Sequence, residues 1–173
     1  MGEPGGSVTA VTDLAPLSMP AADAGTDAWS TWLATRTTDQ LQRARDLIAA
    51  VKEERPRRAA DLLDRWNDIT VALGNAFCAS GLLQQVHPEA VIREQAEQAQ
   101  VEASMLETDL SLDREVYDLI VVDDAEARVS GLYDEAERVR NFALRDFRRA
   151  GVDREPEVRE RVRAINERLT ELI

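Results

Sequence analysis

From Thr26 onward the chain is written in strong helix formers, Ala, Leu, Glu, Gln and Arg, and its apolar residues return every three or four positions. Leu41, Ala44, Ile48 and Val51 mark a first long helix, expected to begin at Thr37 or Thr38 because Thr37 and Gln40 have capping-box spacing, and to end near Arg55. A second helix is expected from about Arg57 to Gln85, with Leu62, Trp66, Ile69, Leu73, Phe77 and Leu82 as its stripe and with Gly74 and Gly81 weakening or bending it. A third opens at Pro88, where a first-turn proline forfeits no helical hydrogen bond, and runs to about Leu110. Pro56 and Pro156 are expected to open helices in the same way. A short fourth segment covers Asp113 to Val122, and a fifth covers Asp124 to Ala150, closed by Gly151 in the left-handed conformation. The sixth starts at Glu155 or Pro156. Along it Val158, Val162, Ile165, Leu169 and Leu172 alternate spacings of four and three, a heptad-like seam that wants a partner helix.

No strand-like alternation lasts long enough to build a sheet, and the one β-like fragment, Asp118 to Asp123, reads as buried helix because helical patterns enclose it. The expected fold is all-α, with about six helices packed as an irregular antiparallel bundle. Residues 1–25 are rich in Gly, Pro, Ala, Ser and Thr without periodicity, and are expected to form a disordered N-terminal leader. Residues 26–173 then form one helical domain, a size that buries roughly 70% of the unfolded chain's surface.

Composition narrows the function classes. Aromatic residues are 5% and apolar residues 44% of the chain, so the interior must be built mainly from Leu, Val, Ile and Ala. Charged residues are 31% and the net charge is −12, the opposite of a nucleic-acid footprint, so no nucleic-acid partner is expected. The N-terminus lacks a basic n-region, and apolar runs such as Leu119 to Val122 fall far below the ~18 residues a membrane span requires. No membrane association is expected, and a cytoplasmic location follows by elimination.

Candidate chemistry is sparse. Cys78 is the sole cysteine and reads as a small buried residue in an apolar stretch rather than a nucleophile. His87 is the sole histidine, which rules out a two-histidine zinc motif, and its place before Pro88 at a helix start reads as capping or packing. Paired carboxylates, Asp123 with Asp124, Glu135 with Glu137 and Glu155 with Glu157, read as solvated helix faces. Asp134 with Arg138 and Glu157 with Arg161 have the i,i+4 spacing of helical ion pairs, worth ~0.2–0.5 kcal/mol each. The arginines from Arg145 to Arg149 sit where a helix dipole favours positive charge. No phosphate-cradling glycine motif occurs. The sequence therefore offers no catalytic residue, no metal-ligand set and no cofactor site of its own.

Two segments nevertheless form a familiar pair. Leu82 to Gln100 contains an apolar helix end, the turn His87, Pro88 and Glu89, and then Arg93 on a helix rich in Ala and Glu. Ala143 to Leu172 contains Phe147, Arg148, Arg149 and Gly151, followed by a charged helix. In order and separation the two resemble the N-terminal helical region of the thimet oligopeptidase and neurolysin family of zinc metallopeptidases, which includes bacterial oligopeptidase A and dipeptidyl carboxypeptidase. The resemblance spans roughly residues 30–173. It implies a helical wall of the channel that admits short peptides, while the zinc site, an H-E-x-x-H helix and a further Glu, belongs to a part that this region does not contain. Zinc is thus expected only in a complete enzyme, and the chain alone is expected to be inactive, as a fragment or one half of a split enzyme. Its partner would be the portion or chain that carries the zinc, with short peptides bound by the assembly. The relatives continue their last helix past the position of Ile173, so the seam at 158–172 is expected to be uncovered in isolation and to promote self-association. The alternative is a stand-alone helical protein–protein interaction module derived from the same scaffold.

Overall fold

The computed structural model describes residues 19–122 and 134–170, and among them every regular element is an α-helix. Seven helices follow in order: α1 Thr26–Arg36, α2 Thr38–Glu54, α3 Ala59–Val86, α4 Ala90–Ser111, α5 Arg114–Val122, α6 Asp134–Ala150 and α7 Pro156–Thr170. The all-α bundle expected from the periodicity is what forms.

Its centre is α2, α3 and α4. The α2 stripe of Leu41, Ala44, Ile48 and Val51 is buried along its full length. Glu54 meets Arg65 at 3.2 Å near one end of the α2–α3 pair, and Gln40 meets Asn75 at 3.4 Å farther along, so the two helices run antiparallel. Across α3 and α4, Ser80 Oγ lies 2.6 Å from Gln100 Oε1, which keeps a fully buried hydroxyl satisfied. The main core adds Leu110, Val116, Tyr117, Ile120, Leu144, Phe147 and Val152, so α5 and α6 close over the bundle. Trp66, Phe147 and Tyr117 meet there, Phe147 lying 5.3 Å from Trp66 and 5.9 Å from Tyr117 between ring centroids.

Several local expectations are revised. Helix α1, unmarked in the sequence reading, buries only Trp29 and Leu33, a single turn of periodicity that gives a weak pattern. Thr37 does not cap α2. It stays in the right-handed helical region, and its hydroxyl donates to Leu33 O at 2.8 Å, so α1 runs into α2 across one residue and the extended backbone of an N-cap never arises. Pro56 lies ahead of α3, whose N-cap is Arg58, and Pro88 lies ahead of α4, whose N-cap is Glu89; Pro156 does open α7. Asp113 is a true cap, its Oδ1 accepting the Glu115 and Val116 N–H groups at 3.1 and 3.2 Å.

Helix α3 passes through Gly74 and Gly81 without a break. Its buried stripe continues from Leu73 through Ala76, Ser80 and Leu83, not through Leu82, because the five-residue step from Phe77 to Leu82 slips onto the opposite face. Cys78 lies on that outer face too and is exposed, which corrects its expected burial. By length and composition α3 is the one helix among the described residues apolar enough to cross a membrane. Ten of its residues are buried inside the bundle, against α2 and α4.

Residues 118–122 of the β-like fragment are helical, as expected. The first part of the expected fifth helix, the Asp123 and Asp124 pair and the Asp134 side chain lie outside what is described, as does most of the leader. Helix α6 ends in a complete Schellman motif: Val152 N–H reaches Phe147 O at 3.1 Å, Gly151 N–H reaches Arg148 O at 3.1 Å, and Gly151 sits at φ 96°. Helix α7 rests beside α4 through Arg163, which meets Asp109 at 3.1 Å and also pairs with Glu160. The expected Glu157–Arg161 pair is not among the ion pairs of the described residues.

Candidate functional site

The turn between α3 and α4 gathers four of the residues singled out in the sequence. His87 is buried, because α1 lies against the turn and brings the Trp29 ring edge-on to the imidazole at 4.7 Å. Glu89 N–H donates to His87 Nδ1 at 3.2 Å, so that ring nitrogen serves as an acceptor. Arg93 Nη1 reaches back to His87 O at 2.7 Å and Pro88 O at 2.8 Å, satisfying carbonyls that a helix end leaves open. Thr26 Oγ1 donates to the Glu89 carboxylate and ties the start of α1 to the same turn. His87 thus both packs and accepts a backbone hydrogen bond, and among the described residues no nucleophile or carboxylate side chain is bonded to its ring.

The second group closes α6. Phe147 fills the main core, and Arg148 Nε donates to the Tyr117 hydroxyl at 2.9 Å while its guanidinium lies over that ring. Gly151 supplies the positive φ that ends the helix, where a side chain would be strained. Arg149 points outward. Trp66, beside Phe147, and His87 lie 21 positions apart on α3, about 30 Å at the helical rise, so the two groups are not one site. Each is a device for turning the chain.

The open features lie elsewhere. A groove of about 580 Å³ runs between α3, α4 and α6, walled by Trp66, Leu73, Leu110, Val139, Phe142 and Phe147, with Asn166 of α7 at its edge. Phe142 and Val139 remain half exposed there. Beside it, α7 has no buried residue at all: Val158 is 45%, Ile165 50% and Leu169 54% exposed. The seam is therefore open at these three positions, while Val162 is half-buried and Leu172 lies outside the described residues. The hydrogen bond with Glu160, reinforced by Asp109 and opposed by partial burial, raises the Arg163 guanidinium above its ordinary range. It leaves a charge that is present at every physiological pH.

Among the described residues no group of three or more His, Cys, Asp or Glu side chains is placed to hold a metal ion. The sequence could not have disclosed the groove, because its walls come from three helices whose faces meet only in the fold. No family model, no curated protein and no solved structure matches this chain.

Proposed function

We propose that the chain is the N-terminal, channel-wall portion of a cytoplasmic zinc metallo-oligopeptidase of the thimet oligopeptidase type, with the zinc site carried by another segment or chain. The observation that carries this reading is the ordered pair of signature segments, each with a defined structural task. His87, Pro88, Glu89 and Arg93 lock the α3–α4 turn, and Phe147 to Gly151 lock the end of α6. These residues turn and close helices, so they support a scaffold role and carry no chemistry of their own. The uncovered α7 seam adds support, since a wall element needs a face on which the remainder of the enzyme sits.

In this role the chain binds no zinc and cleaves nothing alone. It shapes the entry for short peptides once the zinc-bearing part is docked. Metal analysis of the purified chain and hydrolysis of an internally quenched peptide test this together, with neither zinc nor cleavage expected. Stoichiometric zinc with chelator-sensitive cleavage by this chain alone would overturn it. Sequencing the locus past the Ile173 codon tests the positive half: an H-E-x-x-H segment in the same or the next reading frame is expected.

The exposed seam also favours a second reading, a stand-alone helical interaction module. That reading gains if the locus carries no zinc motif while the α7 face still takes a partner.

A further inference from the structure

The charges on α7 are sorted by sign around its seam. With Val158 and Ile165 at one core position of the heptad and Val162 and Leu169 at the other, the flanking positions within α7 hold Arg159, Arg161, Asn166 and Arg168. The acidic residues Glu160 and Glu167 occupy the position farthest from the seam, and Glu157 lies on the outer side as well. Arg163, on the side towards α4, is consumed by Asp109 and Glu160. The guanidinium groups of Arg159, Arg161 and Arg168 take part in none of the side-chain ion pairs or hydrogen bonds among the described residues. In a chain of net charge −12, unpaired arginines bordering an uncovered apolar strip are a local reversal of the prevailing sign.

A second copy of α7 does not complement this face. In antiparallel pairing Arg161 of one copy meets Arg168 of the other, and in parallel pairing Arg161 meets Asn166, so neither arrangement forms an ion pair. Like charges across such a seam select against the pairing. We propose that the open face of α7 is a docking site for an amphipathic helix whose own apolar seam is bordered by Glu or Asp. The side chains of Val158, Ile165 and Leu169 supply the buried contact, and the three arginines set partner choice and orientation. The proposal goes beyond the oligopeptidase reading and holds whether or not the partner carries zinc.

The test is a titration of the purified chain with two fluorescent synthetic peptides of about three heptads, identical in a Leu seam, one flanked by Glu and one by Lys. Fluorescence anisotropy is expected to show the Glu-flanked peptide binding about tenfold more tightly, with an affinity that falls as salt rises. The double variant Arg161→Glu, Arg168→Glu reverses the preference. The double variant Ile165→Glu, Leu169→Glu removes binding of both peptides while the circular dichroism spectrum is unchanged, since both side chains are exposed. Equal affinity for the two peptides, or no binding of the Glu-flanked one, would overturn the proposal. So would sedimentation of the unliganded chain as a dimer that Ile165→Glu disrupts, because a second copy would then be the occupant.

Discussion

Helix α3 and helix α7 both carry apolar residues at helical spacing, yet α3 buries ten residues and α7 buries none. The difference lies in the neighbours. Helix α3 has α2 on one side, α4 on another and Phe147 of α6 over Trp66, whereas α7 touches the bundle along a polar edge where Arg163 meets Asp109. Periodicity tells which face of a helix is apolar; only the arrangement of the other helices tells whether that face is filled. Fully burying an Ile or Leu side chain is worth ~1.5–3 kcal/mol, so α3 holds the bundle together, while Ile165 and Leu169 of α7, half exposed, leave about half of that unrealised.

The comparison can be broken most forcefully at its filled end. Ile69→Ala, at a position with no exposure, should destabilise the chain by about 3 kcal/mol in urea unfolding, because the cavity lies where α2, α3 and α4 converge. His87→Ala should cost about 2 kcal/mol by the same measurement, since it removes the ring packed on Trp29 and strands the Glu89 N–H. A loss that small with no change in fold would mark the histidine as structural. Gly151→Ala should cost ~1–2 kcal/mol, the strain of placing a Cβ at positive φ, and should appear as a lowered thermal midpoint. At the unfilled end, Ile165→Glu with Leu169→Glu should change unfolding stability by less than ~0.5 kcal/mol. A cost approaching that of Ile69→Ala would mean that the seam is packed in the isolated chain.

Much of the fold was legible because long amphipathic helices announce themselves. The α2 stripe from Leu41 to Val51, the glycine stop at Gly151 and the start of α7 at Pro156 all follow from spacing and backbone preference. Errors arose where one local signal had two structural solutions. Thr37 has the chemistry of a cap and instead bonds back to Leu33, because α1 delivers it already in helical conformation. Leu82 and Leu83 are adjacent and alike, and only the phase of the α3–α4 contact decides which is buried. Cys78 followed Leu82 onto the outer face for the same reason. His87 was readable as a structural residue from its place before Pro88, but its partners Trp29 and Arg93 come from two different helices. The α7 seam was legible as a pattern, whereas the freedom of its flanking arginines from side-chain pairing emerges only when the neighbouring helices are in place.

Hydrogen–deuterium exchange resolved by residue, on the chain alone and with the Glu-flanked peptide bound, bears most directly on the claim that α7 is an open face awaiting a partner. Amides in the α3 core from Ile69 to Leu83 should exchange only through global unfolding, while α7 exchanges far faster alone and slows on peptide binding. Protection of α7 equal to that of α3 in the unliganded monomer, with no change when the peptide is added, would contradict it.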